Sequence, residues 1–221
     1  MVEHLLAKEN VASSSLVSRF FSFLVYNFFM KKNRYLLIKY TLDLIFAIIA
    51  LFFLLPLFLI VAIIIKIDSP GEVFFTQDRV GINGKNFKIY KFRTMVKNAP
   101  LIGPKLTEKN DFRITRVGKF LRISSIDELP QIFNIIKGEM SWIGPRPEIP
   151  SIVSTYNNEQ KKVLTVRPGI TGWAQVNGRD DLTIPEKLKL DIEYIEKISF
   201  FMDLKILLLT FPTLLSARGA N

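Results

Sequence analysis

The sequence has 221 residues, enough for one globular domain with appendages. It carries 30 Lys+Arg against 20 Asp+Glu, a formal net charge of +10, which points to an anionic partner: nucleic acid, an anionic membrane surface or a phosphorylated substrate. With no cysteine, and His4 near the N-terminus as the only histidine, disulfides, thiol catalysis and thiolate metal sites are excluded and nothing supports a Ser–His or His-metal site, so any catalysis falls to carboxylates and basic residues, with a hard metal ion at most.

Residues 1–15 are mixed and polar and lack the charged start and compact apolar core of a cleavable signal peptide. Residues 16–30 hold Phe20, Phe21, Phe23, Leu24, Val25, Phe28 and Phe29 but are interrupted by Arg19 and Asn27, which predicts an interfacial helix, not a span. Lys31, Lys32, Arg34 and Lys39 follow and suit anionic head groups. Residues 44–65 are free of charge. At ~1.5 Å per residue they are long enough to cross a hydrocarbon core of ~30 Å. Pro56 removes one intrahelical hydrogen bond near the middle and predicts a break or kink. Basic residues flank both ends, with Lys66, Lys85, Lys88 and Lys91 on the far side. A spanning helix would export one cluster against the positive-inside bias, whereas a helix that dips in and returns keeps both on one face. Its cost is irregular backbone at depth. Physical argument alone leaves the two evenly matched.

Asp-Ser-Pro-Gly at 68–71 predicts a turn, 73–76 a strand, Asn83-Gly84 a hairpin and 87–95 the returning strand. Phe87, Ile89, Lys91 and Arg93 fall on one face of that strand; Lys88, Tyr90 and Phe92 fall on the other. Lys91 and Arg93 form either a solvated strand face, the usual outcome, or a pair of cations presented to a phosphate. Residues 97–112 read as a loop of the length seen in lids. A basic run, Arg113, Arg116, Lys119 and Arg122, leads into Ser-Ser-Ile-Asp-Glu-Leu-Pro-Gln at 124–131, with Lys119 and Arg122 placed to share a helical face.

That stretch predicts a helix start. With Asp127 as N-cap, Pro130 falls at the third helical position, where its missing N–H costs nothing. Ile132, Phe133, Ile135 and Ile136 then form the apolar face, and Lys137-Gly138 the stop. A second reading caps with Ser125 and returns Glu128 as a capping box, but pushes Pro130 deeper into the helix. Either way Asp127 and Glu128 lie in the first turn, where backbone N–H groups favour anions, and the nearby cations keep carboxylates ionised. An Asp in this position is most often only a cap.

Arg146, held between Pro145 and Pro147, has a stiff backbone and a planar fork suited to phosphate. Residues 166–179 make a second glycine-rich basic loop ending at Arg179. Residues 185–198 predict an amphipathic helix with Leu188, Ile192 and Ile195 on one side, and 200–215 a second membrane-surface helix carrying Asp203, Lys205 and Pro212. Together the elements predict a helix-rich α+β fold, divided as 1–39 (membrane-surface segment), 40–67 (membrane helix), 68–199 (catalytic body) and 200–221 (interface helix).

Several motifs in order carry a resemblance: the proline-broken apolar segment, Lys91-Phe92-Arg93-Thr94-Met95, Arg122 ahead of Asp127-Glu128-Leu129-Pro130-Gln131, Lys137-Gly138-Glu139-Met140-Ser141, Gly144-Pro145-Arg146-Pro147 and Arg167-Pro168-Gly169-Ile170-Thr171-Gly172. Over residues 40–210 the chain strongly resembles the bacterial sugar transferases, the monotopic polyprenyl-phosphate phosphoglycosyl transferases. The resemblance implies transfer of a phospho-sugar from a UDP-sugar donor to polyprenyl (undecaprenyl) phosphate with release of UMP. The reaction opens capsule, O-antigen or related glycan assembly at the cytoplasmic face of the bacterial inner membrane. It implies a catalytic dyad at Asp127 and Glu128, with Asp127 attacking the sugar-bearing phosphate to form a covalent intermediate and Glu128 supporting the site. Mg²⁺ at Asp127 is implied to neutralise the diphosphate. Lys91, Arg93, Arg122, Arg146 and Arg179 are the candidates for binding substrate phosphates.

The family's re-entrant helix tips residues 44–65 towards re-entrant, although Leu55-Pro56 stands where the family often shows Ser-Pro. Residues 1–39 lie outside the resemblance, are far too short for the multi-span domain of larger members, and are assigned to membrane-surface or homo-oligomer contact. The competing expectation is a membrane-anchored anion-binding scaffold without activity. Nucleic-acid binding rests on net charge alone, with no helix-turn-helix or zinc pattern behind it.

Overall fold

The computed structural model describes residues 2–103, 111–178 and 181–215, with the backbone alone for 2–31, 100 and 215. The apolar face expected over 16–30 therefore lies outside the described side chains, as does part of the expected loop at 97–112. The chain divides into two compact units, residues 1–39 and 40–221. The first is helical backbone from Val2 onward.

Within helix α1 (Val2–Asp68), the segment Lys32–Asp68 is long and apolar enough by length and composition to cross a membrane. Its helical course continues through Pro56, so the expected break does not show as a gap in the helix. From residue 40 onward α1 has two characters. Ala47, Phe58, Val61 and Ile65 are buried in the core of the body, while Phe52 and Phe53, 72% and 73% exposed, face outward. Phe58 packs edge-on against Phe92 and Phe133. Asp43 fastens the same helix by accepting from Ser141 Oγ at 2.7 Å through its carboxylate and from Trp142 Nε1 at 3.2 Å through its carbonyl.

Strands β1 (Phe74–Val80) and β2 (Asn86–Phe92) form an antiparallel hairpin from Phe74↔Phe92 to Val80↔Asn86. Asn83 takes the left-handed conformation at φ 55° in the connection, which Asn tolerates better than most residues. The first strand runs beyond the 73–76 expected for it. The second stops at Phe92, short of the expected Met95, and Met95 instead bridges Ile114. Within 97–112, α2 (Ala99–Ile102) replaces part of the expected loop. Helix α3 (Arg116–Ile123) is capped by Thr115, whose Oγ1 accepts from the Gly118 N–H at 3.0 Å. Gly118 is required by packing: a Cβ there would stand 2.0 Å from the Thr94 carbonyl oxygen.

A 3₁₀ helix (Ile126–Gln131) runs into α4 (Ile132–Ile136), which ends at Lys137 and Gly138 (φ 76°) as expected. Strands β3 (Ser141–Ile143) and β4 (Gly169–Thr171) then pair in parallel. Between them lie α5 (Pro150–Val153) and a 3₁₀ turn (Gln160–Thr165). After β4 come α6 (Trp173–Val176), α7 (Ile184–Lys197) and α8 (Phe200–Leu215). Thr183 and Glu186 form a capping box at the start of α7. Tyr194 of α7 donates to Asp203 of α8 at 2.7 Å, pinning one helix to the other and leaving Phe201, Leu208 and Phe211 of α8 exposed. Two small two-stranded sheets among many helices make the body a helix-rich α+β fold.

Candidate active site

The expected helix start at Asp127 takes a different form. Ser125, in the left-handed conformation at φ 56°, turns the chain out of α3, and its side chain makes no capping bond. A tight 3₁₀ helix follows, which accommodates Pro130 before the α-helical course begins at Ile132. Asp127 is therefore not the N-cap, and no Ser125–Glu128 capping box forms. Both carboxylates do lie in the first turn.

Adjacent residues on a helix diverge in direction, and these two meet different surroundings. The Oε1 atom of Glu128 accepts from Lys91 Nζ at 2.6 Å and from Arg146 Nη2 at 2.9 Å. These charge-assisted bonds outcompete a backbone cap. Burial alone would raise the Glu128 carboxyl, but Arg146 and Lys91 outweigh it and hold the group well below the usual carboxylate range. Asp127 is 8% exposed. Among the described residues no hydrogen bond or ion pair engages its carboxylate. Burial pushes that carboxyl above its ordinary range and the Glu128 charge adds to the rise; Lys91, Arg122 and Arg146 oppose it without cancelling it.

Each cation is placed by a separate element. Lys91 comes from β2. Arg122 comes from α3, its Nε donating to Thr94 Oγ1 at 2.9 Å. Arg146 follows β3, in a loop whose course is fixed by backbone bonds from Gly144 N to Thr171 O and from Gly169 N to Pro145 O, both at 2.9 Å. The loop is braced from β1, where Arg79 Nη1 donates to Pro147 O at 3.0 Å and approaches Glu148 at 3.5 Å.

Arg93 is placed elsewhere. It is buried against the end of α1, donating to Ser69 O at 2.7 Å and Ser69 Oγ at 3.0 Å. Arg179 lies outside the described residues. The sequence reading misses Arg79, Gln175 and Asp191. Asp191 carried a signal, because it falls on the same helical stripe as Leu188 and Ile195, where an apolar residue is expected.

A groove of about 200 Å³, largely apolar, adjoins Glu128 and Arg146. Leu54 of α1, Leu129, Trp142 and Leu214 of α8 contribute to its walls. For a metal, the described residues hold no cluster of three or more acidic or His side chains. The unengaged Asp127 carboxylate does fit Mg²⁺, which takes one or two carboxylates and completes its shell with substrate phosphates and water. The arrangement thus offers a buried, unengaged carboxylate beside three cations and an apolar groove, suited to attack on a phosphate carried by a lipid-linked or nucleotide-linked substrate.

Residues 34–217 match the family described as Bacterial sugar transferase. The chain is 43% identical over 195 residues to the UDP-N-acetylgalactosamine-undecaprenyl-phosphate N-acetylgalactosaminephosphotransferase of Aeromonas hydrophila, covering 85% of this chain and 46% of that protein. It is 41% identical over 203 residues to the UDP-glucose:undecaprenyl-phosphate glucose-1-phosphate transferase of Xanthomonas campestris pv. campestris, covering 86% and 41%. An uncharacterized sugar transferase of Bacillus subtilis is 45% identical over 163 residues, 74% of this chain and 79% of that protein. The chain thus spans less than half the length of the Aeromonas and Xanthomonas relatives.

Proposed function

We propose, from the premise that the chain belongs to the bacterial sugar transferase family, that it moves a sugar 1-phosphate from a UDP-sugar to undecaprenyl phosphate and releases UMP. The observation that carries this reading is the division of labour in the dyad: Glu128 is bound by Lys91 and Arg146, while the Asp127 carboxylate beside it is left unengaged. A membrane-anchored anion-binding scaffold needs the cations but gives no reason for such a carboxylate among them.

In the first step an Asp127 carboxylate oxygen attacks the sugar-bearing phosphorus. The bond from that phosphorus to the bridging oxygen breaks, and UMP leaves with the electron pair. In the second step a phosphate oxygen of the acceptor attacks the same phosphorus and the Asp127 carboxylate departs. Lys91, Arg122 and Arg146 orient the diphosphate and neutralise charge that spreads over its oxygens, which is most of what phosphoryl transfer asks of a protein. Glu128 fixes the positions of Lys91 and Arg146. Asp127 would hold Mg²⁺, which would supply further charge to neutralise the diphosphate. The apolar groove between Leu54 and Leu214 receives the start of the polyprenyl chain.

The outward apolar face of α1 and the exposed apolar residues of α8 support membrane association on the cytoplasmic side of the inner membrane; residues 44–65 enter and return by a bend at Pro56 that leaves α1 helical throughout. The product decides the chemistry: incubation with a UDP-sugar and undecaprenyl phosphate yields UMP, and release of UDP would rule the scheme out. Topology is read by labelling a tag at residue 1 from the periplasm. No labelling is expected, and labelling restores a spanning helix.

A further inference from the structure

Arg146 and Gln175 line two cavities, the groove beside Glu128 and a smaller one shared with Glu148, Tyr156, Lys187 and Asp191. The smaller one has room for the centres of water-sized groups over about 30 Å³, space for roughly two such groups where about 10–15 Å³ holds one. Three buried polar atoms at its wall have no partner: Asp191 Oδ1 on α7, and Gln175 Nε2 and Oε1 on α6. Asp191 is 4% exposed, and its carboxylate is held by the Arg146 main chain. Buried polar atoms are nearly always paired, and three orphans gathered at one cavity next to the site are costly unless ordered water or a ligand that displaces it pairs them.

Their chemistry selects that ligand. Gln175 brings an N–H donor and a carbonyl acceptor, and Asp191, which burial keeps protonated over much of the neutral range, can accept or donate; groups that do both satisfy all three. A phosphate has no hydrogen to offer the Gln175 carbonyl. Two neighbouring hydroxyls match in number, polarity and size. We propose that this cavity is the hydroxyl-recognising subsite of the donor: a vicinal diol of the nucleotide sugar pairs one hydroxyl with Asp191 Oδ1, donates to Gln175 Oε1 and accepts from Gln175 Nε2. The inference rests on the reading of the site as a sugar-phosphate transferase. The diol comes either from the transferred sugar or from the ribose, and through Arg146 the subsite ties recognition of that diol to the cation that holds Glu128.

The test uses Gln175→Met and Asp191→Asn, both close to the original in volume. The KM for UDP-glucose or UDP-N-acetylgalactosamine rises about ten-fold or more in each, the change expected for a lost hydrogen bond to a buried partner, while the KM for undecaprenyl phosphate stays within about two-fold. UMP as competitor separates the sources. Its inhibition weakens in parallel if the ribose is held and is unchanged if the transferred sugar is. The unaltered protein gives an answer independent of folding, because UDP-sugars deoxygenated in the sugar or in the ribose bind correspondingly weaker. Donor KM within about two-fold of wild type in a variant that melts cooperatively, or equal use of both deoxygenated donors, overturns the proposal. If the unaltered chain releases UMP from no UDP-sugar, the reading of the reaction itself fails, and this is seen before any variant is made.

Discussion

Lys91 Nζ lies 2.6 Å from Glu128 Oε1, across 37 positions of sequence, and joins the returning strand of the hairpin to the acidic turn. Arg146 reaches the same oxygen from the opposite side of the chain order. One atom of Glu128 therefore sets the spacing of the two cations proposed to bind phosphate.

Coupling between these groups is measurable. Lys91→Met leaves Glu128 with Arg146 alone and costs about 1–3 kcal/mol of stability by urea unfolding, with turnover falling about 10²-fold. In a Glu128→Gln background the same change costs less, because the partner charge is already gone. A double-mutant cycle should give a coupling energy of about 0.5–3 kcal/mol. Strict additivity would show that Glu128 does not position Lys91.

Asp127→Asn should remove at least about 10³-fold of UMP release, since an amide is no nucleophile here. The same substitution leaves the melting temperature unchanged or raises it at pH 8. Burial raises the folded Asp127 pKa above its unfolded value, so the acid's contribution is fully present below the unfolded pKa and lost as pH rises through the folded one. A neutral amide escapes that loss.

The same shift sets the pH profile. On the proposed mechanism Asp127 attacks as the carboxylate, so kcat/KM should fall on acidification with a limb above the ordinary carboxylate range. Glu128→Gln removes the neighbouring like charge and moves that limb to lower pH. A limb that stays in place separates the titrating group from the dyad.

Much of this site is legible in the sequence, and the failures have physical causes. Asn83-Gly84 marks the hairpin because few residues accept the left-handed conformation, and the apolar run at 44–65 marks, by length alone, a helix able to cross a membrane. Lys91 and Arg93 share strand parity, yet β2 ends at Phe92, the alternation lapses, and Arg93 turns to Ser69. The acidic turn reads as an α-helical cap because local rules favour one. Contacts with Lys91 and Arg146, 37 and 18 positions away, decide it otherwise, and no periodicity reports such pairs. The Asp191 cavity is likewise assembled from the loop around Arg146, α6 and α7.

Asp191 gives a stability prediction of its own. Burial, with help from Glu148, lifts its pKa to about 8. Its contribution to stability is complete below the unfolded value near 3.8 and is lost progressively as pH rises towards about 8. Asp191→Asn, neutral throughout, should melt higher than wild type at pH 8, by a few degrees, with the gap closing at pH 5. An equal gap at both values would mean that the carboxyl is ionised across the range.

Gly118→Ala places a methyl group where the Thr94 carbonyl oxygen already stands. Backbone must move on one side or the other, at a cost of about 3 kcal/mol or more. Because Thr94 Oγ1 also receives Arg122, activity should fall even at temperatures where the variant is folded. Wild-type turnover in a folded variant would show that α3 shifts without carrying Arg122 along.

The burial of Phe58, Val61 and Ile65 in the body bears on how the protein can be handled. An anchor joined by a linker can be cut away to leave a soluble enzyme. Here the anchor's inner face is a wall of the hydrophobic interior against which β2 and α4 are folded. Truncation before residue 68 should yield insoluble or misfolded material, and purification will have to carry the helix along in detergent or a lipid nanodisc. On the proposed function, the reaction centre is kept beside the apolar helix by its own folding stability, so activity could not be separated from contact with a lipid acceptor.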